Sequence, residues 1–307
     1  MSKFFRKLLI FVSILILMLL IIEFKVGNLP NSYTVKKQCI EDNANKIDVL
    51  VFGSSQAHSD INPEQFYKYS CNLANSNQDL YYDSQLLDKY IDKMPTLKTV
   101  FIGVSYFSLE FSLVENDESW RKYFYYKTFD IPQPNGETYE LGYYSYIAAY
   151  NPSVVRGFLA KAFDVNLVDK NTTSGWFKFP KDNHAFNENV GAIRARLHTS
   201  QMKEKNLNQN VSYLKMMVSR LKAHDVNVYL ITFPATSSYR SQIDQKKYNL
   251  MTQTVSQITK EFGAYYLNFF DNEQFVKSDF ADDSDHLNEI GVDKLTTMIK
   301  NNINYEN

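Results

Sequence analysis

Glycine is scarce in this chain, 10 in 307 residues, and no low-complexity tract or internal repeat interrupts it, which excludes a repeat array or a disordered polar protein. An excess of either charge is also missing. Lys and Arg number 33 against 34 Asp and Glu, for a net charge of −1, and no basic stripe stands out, so a nucleic-acid partner is not expected. Cysteine is limited to Cys39 and Cys71, enough for one disulfide in an oxidising compartment and for none in a reducing one; both states stay open. What the chain has in quantity is aromatic: 22 Tyr and 22 Phe within a 44% hydrophobic composition, enough for a substantial core. Its length suits one α/β domain with a large insertion, or two small domains.

The first strong signal is at the N-terminus. Lys3, Arg6 and Lys7 precede an apolar run from Leu8 to Ile22 that only Ser13 breaks. A signal-peptide core of about 7–15 apolar residues fits that run. Against cleavage, Glu23-Phe24-Lys25 follows and no A-x-A-like site appears. With Phe4, Phe5 and Phe24 at its margins the segment reads as an uncleaved membrane anchor over residues 1–25. The flanking positive charges put everything after it on the extracytoplasmic side. Residues 26–46, polar and carrying Pro30 and Asn31, read as a linker, and 47–307 as the main domain.

Within that domain, short β-branched runs alternate with helical periodicity. Strands are expected at Ile47–Phe52, Cys71–Ala74, Thr99–Val104, Val226–Ile231 and Tyr265–Phe269. Helices are expected over Leu80–Met94, Val211–His224 and Gln245–Phe262, with a last one starting near Leu287. Alternation of this kind means an α/β fold with a doubly wound parallel sheet. From about 107 to 206 the pattern breaks into an aromatic, polar stretch that leaves after the third strand, and this inserted stretch is expected to cap one sheet edge. Its Trp120 and Tyr123 to Tyr126 offer flat faces to a sugar ring, or serve as packing.

Doubly wound sheets bind ligands beyond the carboxyl ends of their strands. That rule selects Gly53–His58, Asn75–Gln78, Ser105-Tyr106, Pro234–Arg240 and Phe270–His286. Gly53-Ser54-Ser55-Gln56 directly follows the first strand, where a sharp turn presents a hydroxyl. Asp283-Ser284-Asp285-His286-Leu287-Asn288 precedes the last helix. An Asp three residues before a His can hold its Nδ1–H and leave Nε2 as a base; the plainer reading is that Asp283 or Asp285 caps the helix from Leu287 onward. Asp282, Asp283 and Asp285 lack the Gly and spaced Glu of an EF-hand loop, and no metal or other cofactor is expected. His58, three residues past Ser55, is a candidate pocket-lining residue, whereas His184 and His198 read as surface and His224 as a helix end.

Taken together, a serine after the first strand and an Asp-x-x-His before the last helix resemble the SGNH (GDSL-type) hydrolase superfamily, over most of residues 47–302 and excluding the insert. The resemblance implies a flavodoxin-like sheet, Ser55 as nucleophile, His286 as base and Asp283 as its orienter. Asn72-Leu73-Ala74-Asn75-Ser76-Asn77-Gln78 resembles the second family block, with Asn77 where the oxyanion-hole Gly stands, and Gly103-Val104-Ser105-Tyr106 the third, with Ser105 in place of Asn. The Ser55 N–H together with Asn77 or Asn75 is then left to hold an oxyanion, a donor whose loss costs roughly a hundredfold to a thousandfold in rate. Gly-Ser-Ser, the N-terminal anchor and the late Asp-His-Leu-Asn are similar to a branch of extracytoplasmic proteins that includes the D-alanyl transfer protein of teichoic acids and alginate acetyltransferases. That branch implies a serine O-acyltransferase acting on a cell-surface or teichoic-acid-like glycan, with a multi-spanning membrane acyltransferase as partner. The alternatives are a carbohydrate O-acetyl esterase and a non-catalytic glycan- or partner-binding module.

Overall fold

The computed structural model describes residues 3–160, 171–179, 188–282 and 284–303. Along the chain run α1 (Lys3–Gly27), α2 (Ser32–Asn43), β1 (Val49–Phe52), α3 (Ser55–Asp60), β2 (Ser70–Asn72), α4 (Leu80–Tyr90) and β3 (Thr99–Gly103). There follow α5 (Lys122–Phe129), α6 (Tyr146–Ala149), α7 (Pro152–Ala160), α8 (Glu188–Gln201) and α9 (Leu207–Ala223). The chain then continues through β4 (Asn227–Thr232), α10 (Ser237–Arg240), α11 (Gln245–Phe262), β5 (Tyr265–Asn268) and α12 (Glu289–Asn302). Two compact units result: Met1–Thr34 with Asp117–Asp169, and Val35–Asn116 with Lys170–Asn307.

The second unit holds the sheet, in the order β2-β1-β3-β4-β5 with every pairing parallel. Each strand coincides with an expected β-branched run to within two residues. β1 and β3 are buried along their whole length because helices cover both faces. On one face Val49, Val51, Phe101 and Ile231 pack with Ala57 and Ile61 of the α3 region and with Val292, Leu295 and Ile299 of α12. The alternate residues Leu50, Val100, Ile102, Val228 and Leu230 point the other way by the pleat, towards the side of α4, α9 and α11. β5 is an edge, and there Tyr265 is exposed and stacks on Tyr229 at 4.9 Å. The strand order reverses between β1 and β3, which makes the loops after those two strands the switch-point crevice.

Residues 26–46 differ from the expected linker, since α2 occupies most of the stretch. Ile40 is buried, and Lys36 Nζ donates to the carbonyls of Asn72 and Gly175 at 3.1 and 2.6 Å. Cys39 of α2 is disulfide-bonded to Cys71 of β2, so the pair left open above is joined.

In the first unit, α1 is long enough at about 37 Å to cross a bilayer core of about 30 Å. Its best 18-residue window has a mean hydropathy of 2.7 and its apolar side chains are exposed. Of the aromatics read as sugar platforms or as packing, Phe124 and Tyr125 pack: both are buried, Tyr33 lies 5.3 and 5.0 Å from their ring centres, and Trp120 meets Phe124 edge-on. Tyr125 therefore has no open face to offer a ligand.

Candidate functional site

β1 runs into Gly53, whose φ of +128° few other residues adopt. A side chain there would also meet the Gly103 carbonyl oxygen at 2.9 Å and Ala57 Cβ at 3.0 Å. Glycine therefore allows α3 to start directly at the strand end, tight against β3. Ser54 is the N-cap residue of α3 and Ser55 its first helical residue. The two hydroxyls differ in surroundings. Ser54 is buried, with Oγ 3.2 Å from Ser105 Oγ, whereas Ser55 keeps partial access to solvent.

Ser105 is itself buried and donates to Gln56 Oε1 at 2.6 Å, while its N–H donates to Ser108 Oγ. It thus braces Gln56 from below. Gln56 Nε2 in turn donates to the Asp285 carbonyl at 2.9 Å, across 229 residues of sequence. That bond joins the residue after Ser55 to the residue before His286.

The His286 loop is held from several sides. Phe280 and Leu287 form an isolated antiparallel bridge, Ala281 N–H donates to the His286 carbonyl, and Leu287 N–H donates to Asp60 Oδ1 of α3. Thr236 Oγ1 donates to the Ser284 carbonyl. Ser284 sits at φ +67°, a left-handed conformation that costs a non-glycine residue about 1 kcal/mol or more and is paid by these surrounding bonds. Phe179 stacks on the His286 ring at 5.3 Å. The capping expectation for Asp283 or Asp285 is not met: α12 is capped by Asn288, whose Oδ1 accepts from Ile290 N and Gly291 N.

Asp283 lies outside the described residues, as does His184. Asp285 is fully buried, and its carboxylate accepts from Arg194 Nε at 3.0 Å and Nη2 at 3.3 Å, a bidentate pair. Its Oδ1 stands 3.6 Å from His286 Nδ1, an ion-pair distance longer than a hydrogen bond, and its Oδ2 is 3.8 Å from His198 Nε2. His198 is no surface residue: it is buried, its Nδ1 is 2.7 Å from Tyr239 Oη and its ring packs 4.4 Å from Phe107. Burial pushes the Tyr239 hydroxyl well above its ordinary pKa, and the nearby Asp285 charge adds to the effect. Arg194 and His198 both come from α8, which packs closely on α10; a side chain at Gly191 would strike Ser238 Oγ at 2.4 Å. The one local signal for them is their spacing of four residues, which puts both on one face of α8.

The second block is built around Asp83. Its Oδ1 accepts from Gly53 N–H at 2.9 Å and from Gln78 Nε2 at 2.5 Å, which ties the serine turn to the Asn75–Gln78 loop. Asn75 N–H donates to the Gly53 carbonyl at 3.1 Å and its side chain accepts from Ser76 N. Asn77 takes φ +57°, the left-handed conformation open to Gly and tolerated by Asn. Burial pushes the Asp83 carboxyl up to about 7, with the Asp79 charge adding to it and the two donated hydrogen bonds opposing it. Asp79, which caps α4, is likewise raised by burial, to about 6. His58, expected beside the pocket, is buried with Nε2 2.5 Å from Asn171 Oδ1 and its ring against Phe177. Among the described residues no three His, Cys, Asp or Glu side chains converge as a metal site.

No family model matches the chain, and no curated protein matches it. Among solved structures it is similar to a GDSL-like lipase from Bacteroides thetaiotaomicron, at 11% identity over 89% of this chain and 98% of that one, with a TM-score of 0.43. It is also similar to the lipase/acylhydrolase from Enterococcus faecalis, at 10% identity over 84% of this chain and 95% of that one, with a TM-score of 0.42. At such identities the likeness concerns the fold alone, which here is an α/β fold built on a five-stranded parallel sheet.

Proposed function

We propose that the chain is an extracytoplasmic serine O-acyltransferase that modifies a cell-surface glycan. His286 takes the Ser55 proton as Oγ attacks the carbonyl carbon of an acyl donor, and returns it to the leaving group as the acyl-serine forms. A glycan hydroxyl then attacks that ester, its proton passes to His286, and Ser55 Oγ leaves and is reprotonated. Asp283 is the orienter in this reading, with the Ser55 N–H and Asn77 or Asn75 facing the oxyanion. The donor is presented by a multi-spanning membrane acyltransferase partner, beside which α1 keeps the enzyme.

The observation that carries the reading is the Gln56–Asp285 hydrogen bond, which holds the two half-sites together at the carboxyl edge of the sheet. A cavity of about 320 Å³, lined by Thr236, Ser238, Arg240 and Lys277 among others, borders the same loop and offers hydroxyl and cationic groups to a sugar. A fluorophosphonate probe is expected to label the full chain. Ser55→Ala should abolish labelling and Ser54→Ala should retain it; labelling that followed Ser54 would end the assignment. With an activated ester and a panel of glycans, acylated sugar is the expected product by mass spectrometry. Free acid alone, at a rate indifferent to glycan, would make the enzyme an esterase.

A further inference from the structure

The first unit exposes apolar side chains that its own core does not use. Outside α1, the exposed large apolar side chains among its described residues fall between 139 and 159: Tyr139 is 75% exposed, Leu141 68%, Tyr144 66% and Leu159 44%. α6, which adjoins the 141–143 turn and α7, lies against α1. The apolar run of α1 ends at Ile22, and the next residue, Glu23, accepts hydrogen bonds from Ser145 Oγ at 2.8 Å, from Ile147 N at 3.1 Å and from Tyr146 N. One turn on, a side chain at Gly27 would strike the Tyr146 ring at 2.7 Å, so α6 lies directly against the last turn of α1. α6 and its neighbour, the 141–143 turn, are thus fixed within roughly one helical turn, about 5 Å along the axis, of the point where α1 stops being apolar. That is the depth of the interfacial layer, where Tyr is enriched.

A groove of about 730 Å³ includes Leu159 in its lining, with Ile147, Pro152, Val155 and Ala160 and one cation, Arg156. Lys127 Nζ stands 4.3 Å from the Tyr146 ring centre and adds a second cation nearby. Apolar and tyrosine side chains with a few interspersed cations are the makings of a surface that lies on lipid headgroups and the upper acyl chains. In water, such a cluster would be an unusual exposure for a monomer.

We propose that the 139–147 segment and α7 form a membrane-contact face, seated on the interfacial layer of the bilayer that α1 crosses. Its occupant is lipid, and the contact continues the one that α1 makes. The face fixes the first unit at the bilayer surface where a single flexible tether would leave it free to tumble.

The test uses the full chain in phosphatidylcholine and phosphatidylglycerol vesicles. Both native cysteines are disulfide-bonded, so an introduced thiol takes a nitroxide label selectively. Leu141→Cys, Tyr144→Cys and Leu159→Cys, all at exposed positions, are compared with Leu250→Cys, an exposed apolar position on α11 of the other unit. Lipid contact predicts that electron paramagnetic resonance power saturation gives an oxygen-to-nickel-chelate accessibility ratio several-fold higher at the three sites than at residue 250. Equal, chelate-dominated ratios at all four would overturn the proposal. Dipolar broadening between labels at 141, 144 or 159 would overturn it too, since a second copy of the chain would then be the occupant.

Discussion

Ser54 and Ser55 are neighbours with identical chemistry, and their surroundings separate them: one hydroxyl is taken into the Ser105–Gln56 network and the other is left at the mouth of the turn. The same comparison applies to the acidic residues near His286. Asp285 is committed to Arg194 and sits beyond hydrogen-bond reach of Nδ1, and the proposed mechanism gives the orienting role to Asp283. Asp283→Asn should therefore lower kcat by about 10⁴ with little change in stability, as loss of the correct tautomer does. Arg194→Ala strands a buried carboxylate and should cost about 3–5 kcal/mol in chemical denaturation, a loss that Asp285→Asn made in the same chain should partly restore. The opposite ranking, with Asp285→Asn silencing an otherwise stable enzyme, would transfer the orienting role to Asp285. Asp83 supports a separate expectation about pH. Its carboxyl rises from an ordinary 3.8 to about 7 on folding, so the folded chain holds that proton longer than the unfolded one. The stability it contributes is complete below about pH 4 and is lost as pH rises through about 7. Asp79 acts in the same sense but finishes near 6. Melting temperatures should fall from pH 4 to 7, and Asp83→Asn should flatten chiefly the part between pH 6 and 7. An unchanged slope in that variant would show that Asp83 is ionised throughout.

Among the elements, α3 and α8 do most to assemble the site. α3 needs the Gly53 turn and the small Ala57 to approach β3, and it then supplies both Gln56 and Asp60 to the His286 loop. α8, from within the inserted stretch, returns to the sheet unit and delivers Arg194 and His198. α2 has a structural part instead. Its Cys39–Cys71 bond closes a loop of 32 residues against β2, worth about 3–4 kcal/mol on a chain-entropy account. Reduction with dithiothreitol should lower the unfolding free energy by that amount, and the denaturation midpoint with it, while leaving fluorophosphonate labelling intact below the transition. Labelling that vanished on reduction of a still-folded chain would tie α2 to the site directly.

For the whole molecule, the amino-terminal helix and the charges before it set the expected topology. By the proposed topology Lys3, Arg6 and Lys7 stay in the cytoplasm, and the sheet unit with Ser55 and His286 lies outside. An alkaline phosphatase fusion after Asn307 should be active and should sediment with membranes. An inactive fusion would reverse the topology, and an active soluble one would mean that the N-terminal segment is cleaved. In the proposed reaction an acyl-serine beside the membrane would meet its donor at the surface where a membrane partner presents it, and an acceptor held close would compete with water for the ester.

Among the described residues the five strands, the helices α4, α9, α11 and α12 and the apolar N-terminal helix were readable from the chain itself, because each depends on local periodicity: β-branched runs bounded by turns, apolar residues at helical spacing, a long apolar run. The positions of Ser55 and His286 were readable for a related reason. In a doubly wound sheet the carboxyl end of every strand falls on one edge, so order along the chain becomes position in space. Tertiary structure alone decided the rest. The stretch expected as a linker became α2, whose own pattern is weakly amphipathic and whose order comes from a disulfide and a buried Lys36. It moved His198 from the expected surface into the core beside Tyr239, assigned the α12 cap to Asn288, and turned His58 against Asn171. It also used Ser105 to hold Gln56. In all but the cap the partner lies tens to hundreds of residues away, and a polar side chain's role is set by which donor or acceptor meets it once water has been excluded, which no local pattern records.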